Sequence, residues 1–410
     1  AGVEVAGRTL KALGSPQAGI PLIHIAGTNG KGSVSAFLRS VFECAGLKTG
    51  MFTSPHLVDF RERIQVQGDM ISKADTTRLG NRLLSMDFGV CPTMFDYCLA
   101  MALLYFKEQK CDVVILETGL GGTYDSTNAC GVPDVTVIAK IGFDHMAILG
   151  DTLAKIAAEK AGIIKRGTAL VLESQEKEAM DVLNKAAERA DIKTTKVVNL
   201  DEIRILPQKD GKQCFSYAGY DAVTMKMLGV HQYENAVAAM LAAELFFEKY
   251  FAGKKSVPER KALQHAIREG IDRTQWMGRM ELVSNDPFFL MDGAHNSNGV
   301  EALKKSLETM YPDEKFHFIM GVMADKDYGE MIRELLPLAL DFKTVTVESE
   351  RALQGEALAD CIRAKGIPAE AYRNLEDVLP DFSKSSAEKT VAFGSLYFIG
   401  EIEAFLRGKQ

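Results

Sequence analysis

The sequence predicts an α/β fold divided into two domains, and three observations lead there. The chain has 410 residues, too many for one ordinary core. Short continuous apolar runs, the length of strands buried on both faces, alternate along it with stretches whose apolar residues recur every three or four positions. Around Arg273 to Glu281 that rhythm breaks, and a second series of strand-and-helix units begins.

Composition narrows the class. Hydrophobic residues make up 47% and charged residues 25%, as in ordinary globular enzymes. A net charge of −7 and a pI near 5.7 argue against a nucleic-acid partner, since such binders are usually basic. No apolar run approaches the roughly 20 residues that span a membrane. No signal peptide is visible, so a cytoplasmic protein without a membrane partner is expected, and a monomer. The seven cysteines, at 44, 91, 98, 111, 130, 214 and 361, form no C-x-x-C pair; reduced thiols fit and a structural zinc site does not.

The first unit sets the pattern. Leu22 to Ala26 reads as a buried strand. A turn follows, Gly27, Thr28, Asn29, Gly30, Lys31, Gly32 and Ser33, and then Val34, Phe37, Leu38 and Val41 recur at helical spacing. A strand, a glycine turn and a helix N-terminus make an anion site, because unpaired N–H groups and the positive end of the helix dipole face the turn. Lys31 can reach β- and γ-phosphates, and the Ser33 hydroxyl can ligate Mg²⁺. The stretch departs from G-x-x-x-x-G-K-[ST]: Ile25 replaces the first glycine, and Gly32 separates Lys31 from Ser33. An ordinary βα turn with a surface lysine is the alternative.

Lys48 to His56 reads as a short strand ending in a Ser-Pro turn, which places Ser54 at the sheet's carboxyl edge. A charged cluster, Arg61, Glu62 and Arg63, follows. Asp75 to Leu84 and Thr93 to Gln109 read as helices. Asp112 to Thr118 is a central parallel strand that delivers Glu117 to the same edge, and Gly119, Gly121 and Gly122 then turn the chain toward Asp125. Val135 to Gly142 is a strand ending before Asp144 and His145. Thr152 to Ile164 is a helix bearing Glu159 and Lys160. Ala169 to Glu173 is a strand and Lys177 to Ala190 a helix. Lys193 to Met227 alternates as a small antiparallel hairpin set, Gln232 to Phe251 is a long amphipathic helix, and Pro258 to Gly270 a shorter one.

The second series contains strands at Phe288 to Met291, Phe316 to Val322, Thr344 to Val347 and Thr390 to Phe393, with helices between them and one from Gly299 to Met310. The domains are therefore placed at 1–272 and 283–410, with a linker at about 272–282.

Several strands end in polar residues. A carboxylate and an imidazole beside a phosphate loop, Glu117 and His145, suggest Mg²⁺ ligation, since Mg²⁺ prefers oxygen and accepts an occasional imidazole. The alternatives are a solvent-exposed strand end for Glu117 and a structural role for His145. Lys160 reads as a solvated helix lysine. Asp292 and His295 sit at a strand-to-helix turn that could meet a ribose or a phosphate, or be turn chemistry alone. Arg279 could reach a γ-phosphate from the second domain, or be an exposed linker arginine.

Taken together, the motifs resemble folylpolyglutamate synthase and the bifunctional dihydrofolate synthase, of the Mur ligase superfamily. They are HIAGTNGKGS (24–33), FTSPHL (52–57), ETGLGG-x-x-D-x-TN (117–128), DH-x-x-x-LG (144–150), EKAGIIK (159–165), GVHQYENA (229–236), GRME (278–281), DGAHN (292–296) and GSLYFIGE (394–401), in order across nearly the whole chain. The resemblance implies a phosphate-loop nucleotide-binding domain of the Mur-ligase central type and a smaller C-terminal Rossmann-like α/β glutamate-ligase domain. It implies that Thr28, Asn29, Gly30, Lys31, Gly32 and Ser33 bind the ATP phosphates. It places Asn235 near the adenine, Arg279 at the γ-phosphate, and Asp292 with His295 at the ribose. Ser54 and Glu117, with Ser33, would hold one Mg²⁺; His145 and Lys160 would hold a second, Lys160 as a carbamate. Asp125 and its loop would lie near the folate.

The implied reaction is ATP-dependent addition of L-glutamate to the γ-carboxylate of a reduced folate through an acyl phosphate, with Lys31, His145, Lys160 and Arg279 as its catalytic residues. Bacterial members often carry Arg-Leu before the loop aspartate, where this chain has Thr123 and Tyr124, a change in the loop that faces the pterin site and so counts against dihydropteroate as acceptor. Dihydrofolate synthase, acting on dihydropteroate alone or beside the first activity, is the alternative enzyme. A nucleotide-binding regulatory module is the alternative outside enzymes.

Overall fold

The computed structural model describes residues 2–252, 254 and 258–408. The chain forms two compact units. One comprises Ala1–His56, Phe60–Lys226 and Gln232–Gln275; the other comprises Leu57–Asp59, Met227–His231 and Trp276–Gln410. The second unit thus takes two short segments, 57–59 and 227–231, from the stretch that reads in sequence as the first domain.

The first unit is built on an eight-stranded sheet. From one edge the strands are Asp69–Met70, Ile64–Val66, Thr49–Phe52, Val113–Glu117, Leu22–Ala26, Val135–Ile138, Ala169–Leu172 and Thr195–Val197. The last six run parallel, and the first two form an antiparallel edge. Every residue of Leu22–Ala26 and Val113–Glu117 is buried, as continuous apolar runs require in a sheet covered on both faces. The chain leaves Leu22–Ala26 toward Thr49–Phe52 on one side, and leaves Val135–Ile138 toward Ala169–Leu172 on the other. These neighbouring strands therefore flank a topological switch point, where open α/β sheets keep their ligands.

One face of the sheet carries Lys73–Leu84, Met94–Glu108, Leu153–Ala161 and Lys177–Arg189: Leu22, Leu116, Ala26, Ile138 and Leu172, which pack with them, lie on the same side of the paired strands. Met94–Glu108 starts where a capping box says it should, with the Thr93 hydroxyl and the Asp96 carboxylate each accepting from the other's backbone N–H. Lys31–Cys44 lies so close to Arg260–Arg273 that a Cβ on Gly270 would stand 2.4 Å from Val41 Cα. The helix at His231–Phe251 is not amphipathic: 14 of its 21 residues are buried, and the alanines from Ala236 to Ala243 let neighbours approach on several sides. Three antiparallel strands, Arg204–Lys209, Lys212–Tyr217 and Tyr220–Met225, form a separate small sheet. Thr195–Val197, read in sequence with this set, instead extends the large sheet in parallel beside Ala169–Leu172.

The second unit has a six-stranded sheet in the order Glu281–Asn285, Phe288–Met291, Lys389–Phe393, Phe316–Met320, Ala339–Val345 and Ala369–Tyr372, parallel except for the first strand. The two outer strands lack a continuous buried run, so apolar patterning does not reveal them. Ser297–Met310 begins at Asn296, whose side chain accepts from Gly299 N. Among the described residues, no helix is long and apolar enough to cross a membrane. All seven cysteines are free thiols.

Candidate functional site

The turn after Leu22–Ala26 is held from both sides. Thr28 N and Asn29 N donate to Lys140 O, at 2.8 and 3.2 Å. The Thr28 hydroxyl donates to Gly142 O and accepts from Gly142 N. Gly27 packs against Ala139 so tightly that a Cβ would stand 2.9 Å from the alanine methyl. The turn is thus strapped to the end of Val135–Ile138, across the switch point. Gly30, at φ 87°, caps Lys31–Cys44. The helix N-terminus therefore opens onto the turn with its first N–H groups pointing outward.

Two lysines converge here. Lys31 Nζ donates to Gly27 O at 3.0 Å and Thr28 O at 3.2 Å. Lys160 Nζ donates to the same Gly27 oxygen at 2.8 Å and is only 3% exposed, which overturns the reading of Lys160 as a solvated charge. Burial, assisted by the charge of Lys31, lowers the Lys160 ammonium to a pKa of about 7. Near neutral pH this side chain is partly a free amine, and so a nucleophile. Helix spacing alone cannot show this; burial against a strand-end turn does.

Ser33 is buried, and its Oγ accepts from Gln232 Nε2 at 3.3 Å. Gln232 in turn accepts from Asn235 Nδ2 at 2.9 Å. Asn235 Oδ1 lies where a Cβ on Gly30 would come within 2.4 Å, so the residue read as adenine-proximal packs directly on the turn. The sequence carries GVHQYENA at 229–236, and nothing in its spacing gives Gln232 a part.

Glu117 is 5% exposed at its strand end, not a solvated carboxylate, and its Oε2 accepts from Ser54 N at 3.1 Å. Hydroxyl and carboxylate oxygens are hard donors, so Ser33, Ser54 and Glu117 are a set that suits Mg²⁺. His145 stands apart in character. It adopts φ 50° at the start of Met146–Leu149, its side chain is 43% exposed, and its Nε2 lies 3.9 Å from Asp144 Oδ2. Lys160 in its amine form is no Mg²⁺ ligand. Among the described residues, no three His, Cys, Asp or Glu side chains gather as a ready metal site.

Asp125 is spent within its own loop. One carboxylate oxygen accepts from Gly119 N and Leu120 N, both at 2.9 Å; the other accepts from Thr127 N at 3.0 Å and from the Thr127 hydroxyl. That hydroxyl also meets buried His24 Nε2 at 2.8 Å, which ties the loop to the strand leading into the glycine turn. Ser126 donates to Asp96 at 2.6 Å. Burial raises the Asp125 carboxyl and pushes His24 down to about 3. The structure therefore gives Asp125 the work of shaping the Gly119–Gly122 turn. On the same loop, Thr123 donates from its N–H and its hydroxyl to Glu159 O, while Tyr124 is 66% exposed.

The second unit gathers Arg279, Asp292 and His295. Asp292 accepts from Met280 N and Ala294 N, both at 2.8 Å, so its carboxylate ties the GRME turn to the DGAHN turn. Gly293 N donates to Gly278 O, and a Cβ on Gly293 would stand 2.5 Å from Arg279 Nη1. His295 Nδ1 lies 2.8 Å from Gly293 O. Half-buried His231 belongs here as well: desolvation lowers its pKa, while Asp292 raises it and Arg279 lowers it. Sequence reading missed it, since a lone histidine ahead of a helix carries no signal.

Comparison with known proteins accords with these features. The model of the Mur ligase middle domain matches residues 25–243, and that of the Mur ligase glutamate ligase domain matches 278–393. A Bacillus subtilis protein named dihydrofolate synthase/folylpolyglutamate synthase is 36% identical over 96% of this chain and 92% of its own. The folylpolyglutamate synthase of Lacticaseibacillus casei is 30% identical over 97% and 93%. The crystal structure of Mycobacterium tuberculosis folylpolyglutamate synthase complexed with ADP and AMPPCP superposes with a TM-score of 0.86, at 29% identity, over 98% of this chain and 95% of that one. This chain belongs to the folylpolyglutamate synthase family of the Mur ligases.

Proposed function

We propose that the chain is an ATP-dependent ligase that adds L-glutamate to the γ-carboxylate of a reduced folate, releasing ADP and phosphate. The observation that carries this reading is the glycine turn at the switch point, with Lys31 and Lys160 both on Gly27 O, in a chain matched along its length by enzymes named for that chemistry. The folate carboxylate attacks the γ-phosphorus, and the bond from that phosphorus to ADP breaks. The amine of glutamate then attacks the acyl carbon, loses a proton and expels phosphate. The first step joins anions, so its barrier falls with cationic and N–H groups preorganised around the phosphates.

In this reading Thr28 to Ser33 cradle the phosphates and Lys31 swings from Gly27 O onto them. Ser33, Ser54 and Glu117 would hold Mg²⁺, which would supply charge neutralisation to the phosphates. Asn235 borders the adenine; Arg279 serves the γ-phosphate, and Asp292 with His295 serve the ribose. Lys160 is assigned as the carbamate: its low pKa provides the free amine that would add to CO₂ and release a proton, giving a carboxylate-like oxygen donor that, with His145, would hold a second Mg²⁺. Asp125 shapes the folate loop. Dihydropteroate is the second acceptor to consider, because the Bacillus subtilis relative is named for both activities.

The test is purified protein with Mg·ATP, L-glutamate and either tetrahydrofolate or dihydropteroate. ADP release that requires glutamate and tetrahydrofolate together, with a product one glutamyl residue heavier, is the expected result. Release with dihydropteroate alone would move the assignment to dihydrofolate synthase, and no release with either acceptor would remove the ligase reading.

A further inference from the structure

We propose that Gln232 is a positioning residue of the nucleotide site, acting through the Ser33 hydroxyl; this rests on the Mg·ATP reading of the turn. Gln232 is wholly buried at 0% exposure, with Ser33 at 2% and Asn235 at 3%. An amide at such a depth must satisfy both of its ends. Its Oε1 accepts from Asn235 Nδ2 at 2.9 Å, and its Nε2 therefore faces Ser33 Oγ, at 3.3 Å. Asn235 thus sets which end of the glutamine meets the serine.

The serine responds to that choice. Ser35, one turn-face away on the same helix, gives its hydroxyl proton back to Lys31 O at 2.9 Å, the ordinary habit of a helical serine. Ser33 instead accepts from Gln232, which holds Oγ with one lone pair occupied and one left for a cation. The network runs from Ser33 through Gln232 to Asn235, and Asn235 packs on Gly30. Gln232 therefore governs the orientation of the hydroxyl assigned to Mg²⁺. A glutamine serves here because it donates at one end and accepts at the other; methionine, of similar volume, does neither.

The experiment titrates Mg²⁺ into protein with ADP by calorimetry and compares wild type, Gln232→Met, Ser33→Ala and the double variant. Gln232→Met is expected to need at least tenfold more Mg²⁺ than wild type for half-saturation of the ADP complex. In the Ser33→Ala background the same substitution is expected to change the Mg²⁺ requirement by less than twofold, because its effect passes through the hydroxyl. Multiplying effects in the double variant would mark a packing role and overturn the proposal, as would an unchanged Mg²⁺ requirement in Gln232→Met. Should Gln232→Met fail to fold, Gln232→Glu keeps the bond to Asn235 and loses the donor, and the same shift is required of it. A wild-type protein whose ADP binding ignores Mg²⁺ would sink the metal-nucleotide reading itself.

Discussion

Lys31 and Lys160 donate to one carbonyl oxygen, that of Gly27, at 3.0 and 2.8 Å. Two ammonium groups on one acceptor repel each other, and burial discourages charge on the deeper one. The result is a division of labour. Lys31 is half-buried at the mouth of the turn and can leave for a phosphate, whereas Lys160 is enclosed and held near neutrality.

From the lowered Lys160 pKa follows a pH-dependent modification. The free amine adds to CO₂ and releases a proton to give a carbamate, so the reaction needs the deprotonated form. With a pKa of about 7, that form grows from a minority at pH 6 to a majority at pH 8. Protein equilibrated with ¹³C-bicarbonate is expected to show a carbamate carbon resonance that strengthens over this interval. Lys160→Ala is expected to lack it, and a resonance that persists in Lys160→Ala would place the modification elsewhere.

Lys31→Ala is expected to lower turnover by about 100-fold or more, the scale for removing a charge-stabilising donor at a reacting phosphate. Lys160 still donates to Gly27 O in that variant, so the turn keeps a clamp and the melting temperature should stay close to wild type. Turnover within tenfold of wild type would take Lys31 out of the proposed chemistry.

His24 should make the protein acid-sensitive in a defined window. Its folded pKa is about 3 against an ordinary 6.5, so below pH 6.5 the unfolded chain binds a proton that the folded chain refuses. Stability contributed by the neutral imidazole is therefore complete above pH 6.5 and is lost as pH falls toward 3, by up to about 1.4 kcal/mol per pH unit. Urea unfolding at pH 7, 6, 5 and 4 should show His24→Gln with a shallower decline than wild type. Parallel declines would mean that His24 is protonated in the folded state.

The central strands and the glycine turn were legible because burial on two faces leaves an uninterrupted apolar run, and a sharp turn leaves glycines. Edge strands such as Glu281–Asn285 and Ala369–Tyr372 were not, since half-exposed residues keep no such run. Within the candidate site, residues on motif spacing, Lys31, Ser33 and Glu117, could be singled out. Lys160 could not be judged from its helix, because its character comes from the Gly27 carbonyl 133 positions away. The resemblance puts Asp125 and its loop near the folate; that the carboxylate itself is held by donors at Gly119, Leu120 and Thr127 is visible only in the structure.

Gly30 offers a test of the turn that does not depend on any ligand. Its φ of 87° costs an L-residue about 1–2 kcal/mol, and a Cβ there would stand 2.4 Å from Asn235 Oδ1. Gly30→Ala should therefore lose more than the backbone term, as the asparagine side chain must move or the turn must open. Asn235→Ala removes the obstructing oxygen. The double variant should then recover the steric part and retain the backbone part, so the two substitutions are non-additive. Urea midpoints for the four proteins give the cycle directly. Additive losses would show that Asn235 does not press on the turn, and that the close approach of the two residues is relieved at no cost elsewhere.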